Sequence, residues 1–253
     1  MLGCDCKVCQ SLEPKDRRLR TSLFLETASG KSLLVDTGPD LREQLLREKI
    51  RHIDHVIITH DHADHLHGID ELRPFTFNPE LAPIEITCNT VTSERLRLGF
   101  DYLFSPPPSG APIGGGRPRL KLNTMTSPAN ISIAGEAFEF FSNPHGSSET
   151  LGFIHGSFAY VIDCHDITPE NLKKLKEAQL ELLIIDCVQL EPHDTHLSFQ
   201  RALDFIAQIT PQKAGLIHMG HRLAHLQLEG LLQAQGLNSI FVCYDGQRLE
   251  YRT

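Results

Sequence analysis

Six residues, His60-Asp61-His62-Ala63-Asp64-His65, place three imidazoles and two carboxylates directly after the apolar run Val56-Ile57-Ile58. Side chains of this kind have little to pack against and are typical ligands for divalent metal ions. His60 and His62 are two apart and share a side of an extended segment, while Asp64 and His65 reach a neighbouring position as the chain turns. One stretch could therefore feed two ions. A histidine-rich loop formed by chance would explain neither the strand before it nor the isolated histidines that follow.

A second constellation lies near residue 1. Cys4, Cys6 and Cys9 form C-x-C-x2-C, a spacing at which three thiolates converge on one tetrahedral zinc that needs a fourth ligand from elsewhere. The chain has seven cysteines, an odd number, which suits thiolate ligation in a reducing compartment better than a disulfide framework.

These residues need elements to position them. Two apolar runs, 21–26 and 32–36, flank Gly30 and read as a β-hairpin, followed by Asp36-Thr37-Gly38 and a helix opened by Pro39 and running to about Glu48. Residues 55–59 form the strand that delivers the histidine-rich turn, and 68–74 a short helix stopped by Pro74. A strand at 84–88 and a helix at 93–98 precede residues 105–118, whose proline and glycine forbid regular structure and mark an exposed loop. Strands follow near 120–125, 131–134 and 136–142, the last leading to Asn143-Pro144-His145. Residues 151–155 and 158–162 pair about Gly156 and end in Asp163. A capped helix at 168–176 precedes the strand 182–185, which ends in Asp186. His193 and His196 sit in a polar loop before a helix at 197–208. The strand 214–217 ends in His218-Met219-Gly220-His221, then come a helix through 233 and a short closing strand pair. Polar residues thus recur where apolar strands run out, as an active site on strand ends requires. The class is α/β, and two runs of strands, each closed by helices, suggest a duplicated αββα plan within one domain spanning residues 1–253.

Composition excludes several functions. The chain has 253 residues, 14 histidines and a net charge of −8, with no dense basic block, which argues against extended nucleic acid as a partner. No apolar stretch approaches the roughly 20 residues of a membrane span, and the first residues lack the apolar segment of a signal peptide. A cytoplasmic protein acting on a small molecule is expected, with no membrane partner.

The order Asp36-Thr37-Gly38, His60-x-His62-x-Asp64-His65, His145, Asp163 and His218 resembles the metallo-β-lactamase fold. That resemblance implies a four-layer αββα architecture, two mixed sheets sandwiched between helices. Within the superfamily, the cysteine knuckle and His218-x-x-His221 are similar to the PhnP-type phosphoribosyl 1,2-cyclic phosphate phosphodiesterases. The likeness implies that His60, His62 and His145 hold one ion, that Asp64, His65 and His218 hold another, and that Asp163 bridges them. It also picks out His221 as the fourth ligand, with Cys4, Cys6 and Cys9, of a structural zinc. Two divalent ions, Mn or Zn with Ni or Fe as alternatives, would activate a shared water as the nucleophile on a small cyclic phosphodiester. Asp64 would then serve catalysis as well as ligation. His196, at the start of a helix, matches the family's catalytic histidine and is assigned as general acid. Relatives begin with a strand and a Gly-Thr-Gly loop ahead of the knuckle, which here starts at Cys4. A missing first strand would expose a sheet edge open to a second copy, so a homodimer is among the expectations.

Other residues carry less. Asp36 orders a ligand histidine rather than binding metal, and Asp186 is a candidate for the same role. Arg73 at a helix end, and Asp166, His193 and Arg222, would at most border a substrate. Cys88, Cys164, Cys187 and Cys243 read as buried thiols. His52, His55, His67, His155, His165 and His225 receive no role. Competing functions are a tRNA 3′-processing nuclease, a thioester or lactam hydrolase, and a non-enzymatic metal-binding protein of cofactor biosynthesis with the same knuckle. An oxygen-handling di-iron role is disfavoured by His62, where that branch carries an acid.

Overall fold

The computed structural model describes residues 1–78, 80–105 and 118–253. The proline- and glycine-rich loop expected at 105–118 lies outside them except for its two ends. Two compact units emerge, Arg20–Glu136 and the pair of segments Met1–Leu19 with Ala137–Thr253.

The Arg20–Glu136 unit is built on a five-stranded mixed sheet. Its elements are β1 (Leu23–Glu26), β2 (Ser32–Val35), α1 (Leu41–Arg47), β3 (His55–Ile57), α2 (Ala63–Leu66), β4 (Ile84–Asn89), α3 (Thr90–Gly99), α4 (Asp101–Phe104), β5 (Leu120–Met125) and β6 (Ala129–Ile133). The sheet order is β1-β2-β3-β4-β5. Only the β1–β2 hairpin is antiparallel; β2, β3, β4 and β5 run parallel. Parallel strands are buried on both faces and read as continuous apolar runs, which is why Leu33-Leu34-Val35 and Val56-Ile57-Ile58 are almost wholly buried. Leu41, Leu45, Leu66, Leu72 and Leu96 from the helices complete this core.

The second unit contains β7 (Glu136–His145), β8 (Ser148–His155), β9 (Phe158–Val161), α5 (Pro169–Glu177), β10 (Leu182–Asp186), α6 (Phe199–Ile209), β11 (Lys213–Ile217), α7 (His225–Ala234) and β12 (Ile240–Val242). Here the strands follow the order β12-β11-β10-β9-β8-β7. The meander β7-β8-β9 is antiparallel, and β9, β10, β11 and β12 are parallel. All five residues of β10, Leu-Leu-Ile-Ile-Asp, are buried, so its apolar run delivers Asp186 into the interior. The inward stripe of α6, including Ala202, Phe205, Ile206 and Ile209, packs into the same core.

Two mixed sheets with helices are the fold class expected from the sequence, and several boundaries differ in instructive ways. Pro74 does not stop its helix; it lies inside a 3-10 helix, Ile69–Thr76. Proline's fixed φ is helical, and a single missing N–H interrupts a short 3-10 run less than a long α-helix. The helix expected from residue 93 starts at Thr90, because the Asn89 side chain caps it by accepting from the Thr92 amide at 2.8 Å. Ser198 caps α6 in the same way, moving its start from 197 to Phe199. Strand β7 continues through Asn143 and Pro144 to His145, where a loop was expected, since Pro144 has its place in an antiparallel register opposite Glu149. Of the closing strand pair, only β12 forms among the described residues.

Candidate functional site

In the Arg20–Glu136 unit, β2 runs out at Asp36, which is fully buried and adopts a left-handed φ of 63°. Such a conformation costs a non-glycine residue about 1–3 kcal/mol and turns the side chain out of the strand's alternation. Asp36 accepts from the Thr59 amide at 2.8 Å, from the Thr59 hydroxyl at 2.8 Å and from His65 Nδ1 at 2.8 Å. Burial pushes its carboxyl above the usual range, and His65 and Thr59 pull against that shift. With the Thr59 proton given to Asp36, Thr59 Oγ1 accepts from His60 Nδ1 at 3.0 Å. Both buried imidazoles therefore carry their proton on Nδ1 and leave Nε2 unprotonated, the form in which histidine ligates metal. Ring centroids lie 4.6 Å apart for His60 and His62, and 4.3 Å for His60 and His65. Asp64 Oδ2 stands 3.6 Å from His65 Nε2.

Two glycines make this turn geometrically feasible. A Cβ on Gly38 would meet the Asp64 carbonyl at 2.3 Å, and one on Gly68 would meet the Gly38 carbonyl at 2.0 Å. The backbones interlock through Thr37 N to His65 O and Gly68 N to Thr37 O, both 2.7 Å. Close approach explains why Asp36-Thr37-Gly38 and His60–His65 belong together.

The second unit gathers its polar residues from separate strand ends. Asp163 (φ 47°) follows β9 and His218 (φ 65°) follows β11, so the left-handed exit seen at Asp36 recurs at two more site residues. One oxygen or nitrogen from each of Asp163, Asp186, His196 and His218 lies within 4.8 Å of the others. His218 Nε2 is 3.3 Å from Asp163 Oδ1, and His218 Nδ1 is 3.6 Å from Asp186 Oδ1. The other Asp186 oxygen accepts from His196 Nδ1 at 3.0 Å and from the amides of Leu197 and Cys164. The His196 ring stacks on His218 at 4.9 Å and meets His145 edge-on at 4.9 Å. His145 Nδ1 donates to the Thr195 carbonyl at 2.8 Å, which again leaves Nε2 unprotonated and able to ligate a metal. Thr59 and the Thr195 carbonyl are partners that sequence reading missed. Neither belongs to a ligand motif, although both immediately precede a candidate histidine.

Cys4, Cys6, Cys9 and His221 are brought together. Cys4 Sγ and Cys6 Sγ lie 3.4 and 3.6 Å from His221 Nδ1, and all four donors fall within 4.8 Å of one another. A sulfur and a nitrogen held tetrahedrally at ordinary zinc bond lengths are about 3.6 Å apart, so the cradle fits that ion. The Cys9 amide, then His221, lower the Cys6 thiol to about 6, favouring the thiolate a metal requires. Arg18, half-buried, donates to the carbonyls of Gly220 and Leu223 at 3.2 and 2.9 Å and fixes the turn that carries both His218 and His221.

Several weaker candidates find structural places. Arg73 lies over the Phe77 ring, and Asp166 pairs with Arg201 at 2.8 Å. Cys88, Cys164, Cys187 and Cys243 are buried thiols whose pKa burial pushes up. No described helix is long and apolar enough to cross a membrane.

Residues 31–219 match the beta-lactamase superfamily domain. The chain belongs to that superfamily. A crystallised diphosphatase of the PhnP family is 32% identical, covers 99% of this chain and 91% of its own, and superposes with a TM-score of 0.88. The metallo-β-lactamase fold and the PhnP-type likeness read from the sequence are both borne out, and the protein is a hydrolase of that fold. Zn(2+)-bound PqqB from Methylobacterium extorquens, 18% identical over 99% of this chain and 95% of its own, shares the fold with a TM-score of 0.78. Human tRNase Z, short form, does so at 17% identity and 0.68, covering 95% of each chain. An octanoyltransferase of Porphyromonas gingivalis (strain ATCC BAA-308 / W83) is 35% identical over 220 residues, 87% of this chain and 43% of the relative. The chain thus spans less than half of that curated relative, whose name describes a protein mostly outside the alignment.

Proposed function

We propose that the protein is a metal-dependent phosphodiesterase that opens a small cyclic phosphodiester of the phosphoribosyl 1,2-cyclic phosphate kind. The observation that carries this reading is His196, whose Nδ1 is anchored to the buried Asp186 and whose ring lies against His145 and His218. In the proposed assignment His60, His62 and His145 would hold one divalent ion, Asp64, His65 and His218 a second, and Asp163 both. Two such ions, when bound, activate a water and neutralise phosphoryl charge. His196 then supplies what the leaving oxygen needs. As the P–O bond breaks, the imidazolium gives its Nε2 proton to the departing alkoxide and remains a neutral ring with Nδ1–H on Asp186. Asp186 accepts from Nδ1 and fixes the orientation of the ring. Cys4, Cys6, Cys9 and His221 would hold a structural zinc. The expected substrate is a small phosphorylated molecule, since the net charge of −8 argues against extended nucleic acid.

The test is hydrolysis of bis-p-nitrophenyl phosphate and of ribose cyclic phosphates with Mn or Zn, alongside elemental analysis. Turnover and three ions per chain are expected. The likeness to an octanoyltransferase favours a second reading, an acyl thioester hydrolase. Turnover of octanoyl thioesters with inert phosphodiesters would replace the first reading by the second.

A further inference from the structure

His165 has no role in the sequence reading, yet it is half-buried and stands two residues past the candidate ligand Asp163. Its contacts go to the end of β7, the strand that delivers His145. The His165 amide donates to the Pro144 carbonyl at 3.1 Å, and Nδ1 of its ring accepts from the Gly146 amide at 3.2 Å. One residue thus holds the backbone on both sides of His145. Because Nδ1 accepts, the neutral ring carries its proton on Nε2.

Neighbouring residues extend the grip. From α5, the buried Asn171 donates through Nδ2 to the Ser142 carbonyl at 2.6 Å and to Asn143 Oδ1 at 2.9 Å. His145 pairs with Ser148 across the tight turn at Gly146, whose φ is 60°. A Cβ on Gly146 would lie 3.0 Å from Thr195 Cγ2, and the carbonyl of that same Thr195 accepts from His145 Nδ1. The direction of the His145 ring therefore depends on Thr195 at the ring and on His165 at the turn. Between Asp163 and His165, the Cys164 amide donates to Asp186 Oδ2 at 3.3 Å. Residues 163–165 in this way tie together the ends of β7, β9 and β10.

We infer that His165 is a positioning residue for His145, acting through the Gly146 amide to keep the His145 imidazole aimed at the ion it would hold. The inference rests on the phosphodiesterase reading only for the place of His145 among that ion's ligands. Gly146 is exposed, so an amide that loses its acceptor there turns to water at little cost in stability. What is lost is the pre-set geometry of a ligand, on which metal affinity depends.

Co2+ binding to chelator-treated protein tests this, read by competition with a metal indicator and by the visible absorption of the bound ion. His165→Leu, which fills similar space but accepts nothing, should weaken Co2+ at the active site by about 3- to 10-fold and alter its absorption, with knuckle metal content unchanged. His165→Asn should restore both, because its side-chain oxygen can stand where Nδ1 stood. Unchanged affinity and absorption in His165→Leu, or a His165→Asn protein as weak as His165→Leu, would overturn the assignment. A wild-type protein that binds Co2+ at the knuckle alone would overturn it too. Inert phosphodiesters beside the expected Co2+ response would instead sink the phosphodiesterase reading and leave His165 in its role.

Discussion

The two units assemble candidate ligands by opposite routes. In Arg20–Glu136, six consecutive residues supply every candidate ligand, and one buried carboxylate, Asp36, orients them through Thr59 and His65. In the other unit, His145, Asp163, Asp186, His196 and His218 come from five places along the chain, four of them at or just past the ends of β7, β9, β10 and β11. A contiguous motif depends on one turn and its glycines, whereas a dispersed one depends on strand register. Removing a residue should therefore act differently in the two halves.

The largest effect is expected at Asp163, because the proposal gives it to both ions at once. Asp163→Ala should lower kcat by about 1,000-fold or more, the consequence of losing several kcal/mol of charge stabilisation. Elemental analysis should show at least one active-site ion lost while the knuckle zinc stays. A variant retaining both ions and near-normal turnover would break the picture of a shared ligand. His196→Ala comes next, with a fall in kcat of about 100- to 1,000-fold at unchanged metal content. The loss should shrink for substrates with acidic leaving groups such as p-nitrophenolate, which depart without a proton. Equal losses across leaving groups would mean that His196 is no acid.

Asp36 and Asp186 sharpen the contrast further. Asp36→Asn should weaken metal binding by about 10- to 100-fold, read by competition with a chelator, because Asp36 orients His65, a ligand in the proposed assignment. Asp186→Asn should act mainly on kcat and its pH profile, since Asp186 holds His196 as well as standing near His218. Identical phenotypes for the two variants would erase the distinction between the halves.

The same contrast explains what the sequence could show. His60–His65 is legible because candidate ligands that are adjacent in the chain leave their mark in adjacent letters, and the knuckle is legible for the same reason. Asp163 and His218 were found because apolar strands stop at them, and His221 through family likeness. Thr59, the Thr195 carbonyl and the left-handed exits at Asp36, Asp163 and His218 were not visible. Backbone carbonyls have no residue type, and a positive φ on aspartate or histidine leaves no trace where glycine would announce it. Boundaries slipped where one capping residue decided them, as at Asn89 and Ser198. The strand ending at His145 was shortened because Pro144 reads as a breaker until its antiparallel partner is known.

The smallest predicted effect concerns a histidine outside the ligand sets. His55 on β3 is buried, with Nε2 2.8 Å from Thr87 Oγ1, and burial pushes its pKa down from 6.5 to about 4. The folded state therefore keeps the ring neutral over a range in which the unfolded chain takes up a proton. Stability contributed by the neutral ring is complete above pH 6.5 and is lost as pH falls towards 4, because the unfolded state binds more protons throughout that window. Between pH 6.5 and 5.5 the loss should be about 1 kcal/mol. Denaturant unfolding of the chelator-treated protein at the two pH values reads it, and His55→Gln, which cannot titrate, should flatten the slope by that amount. An unchanged slope would mean that other groups drive acid destabilisation and that His55 is hydrated well enough to charge in the folded state.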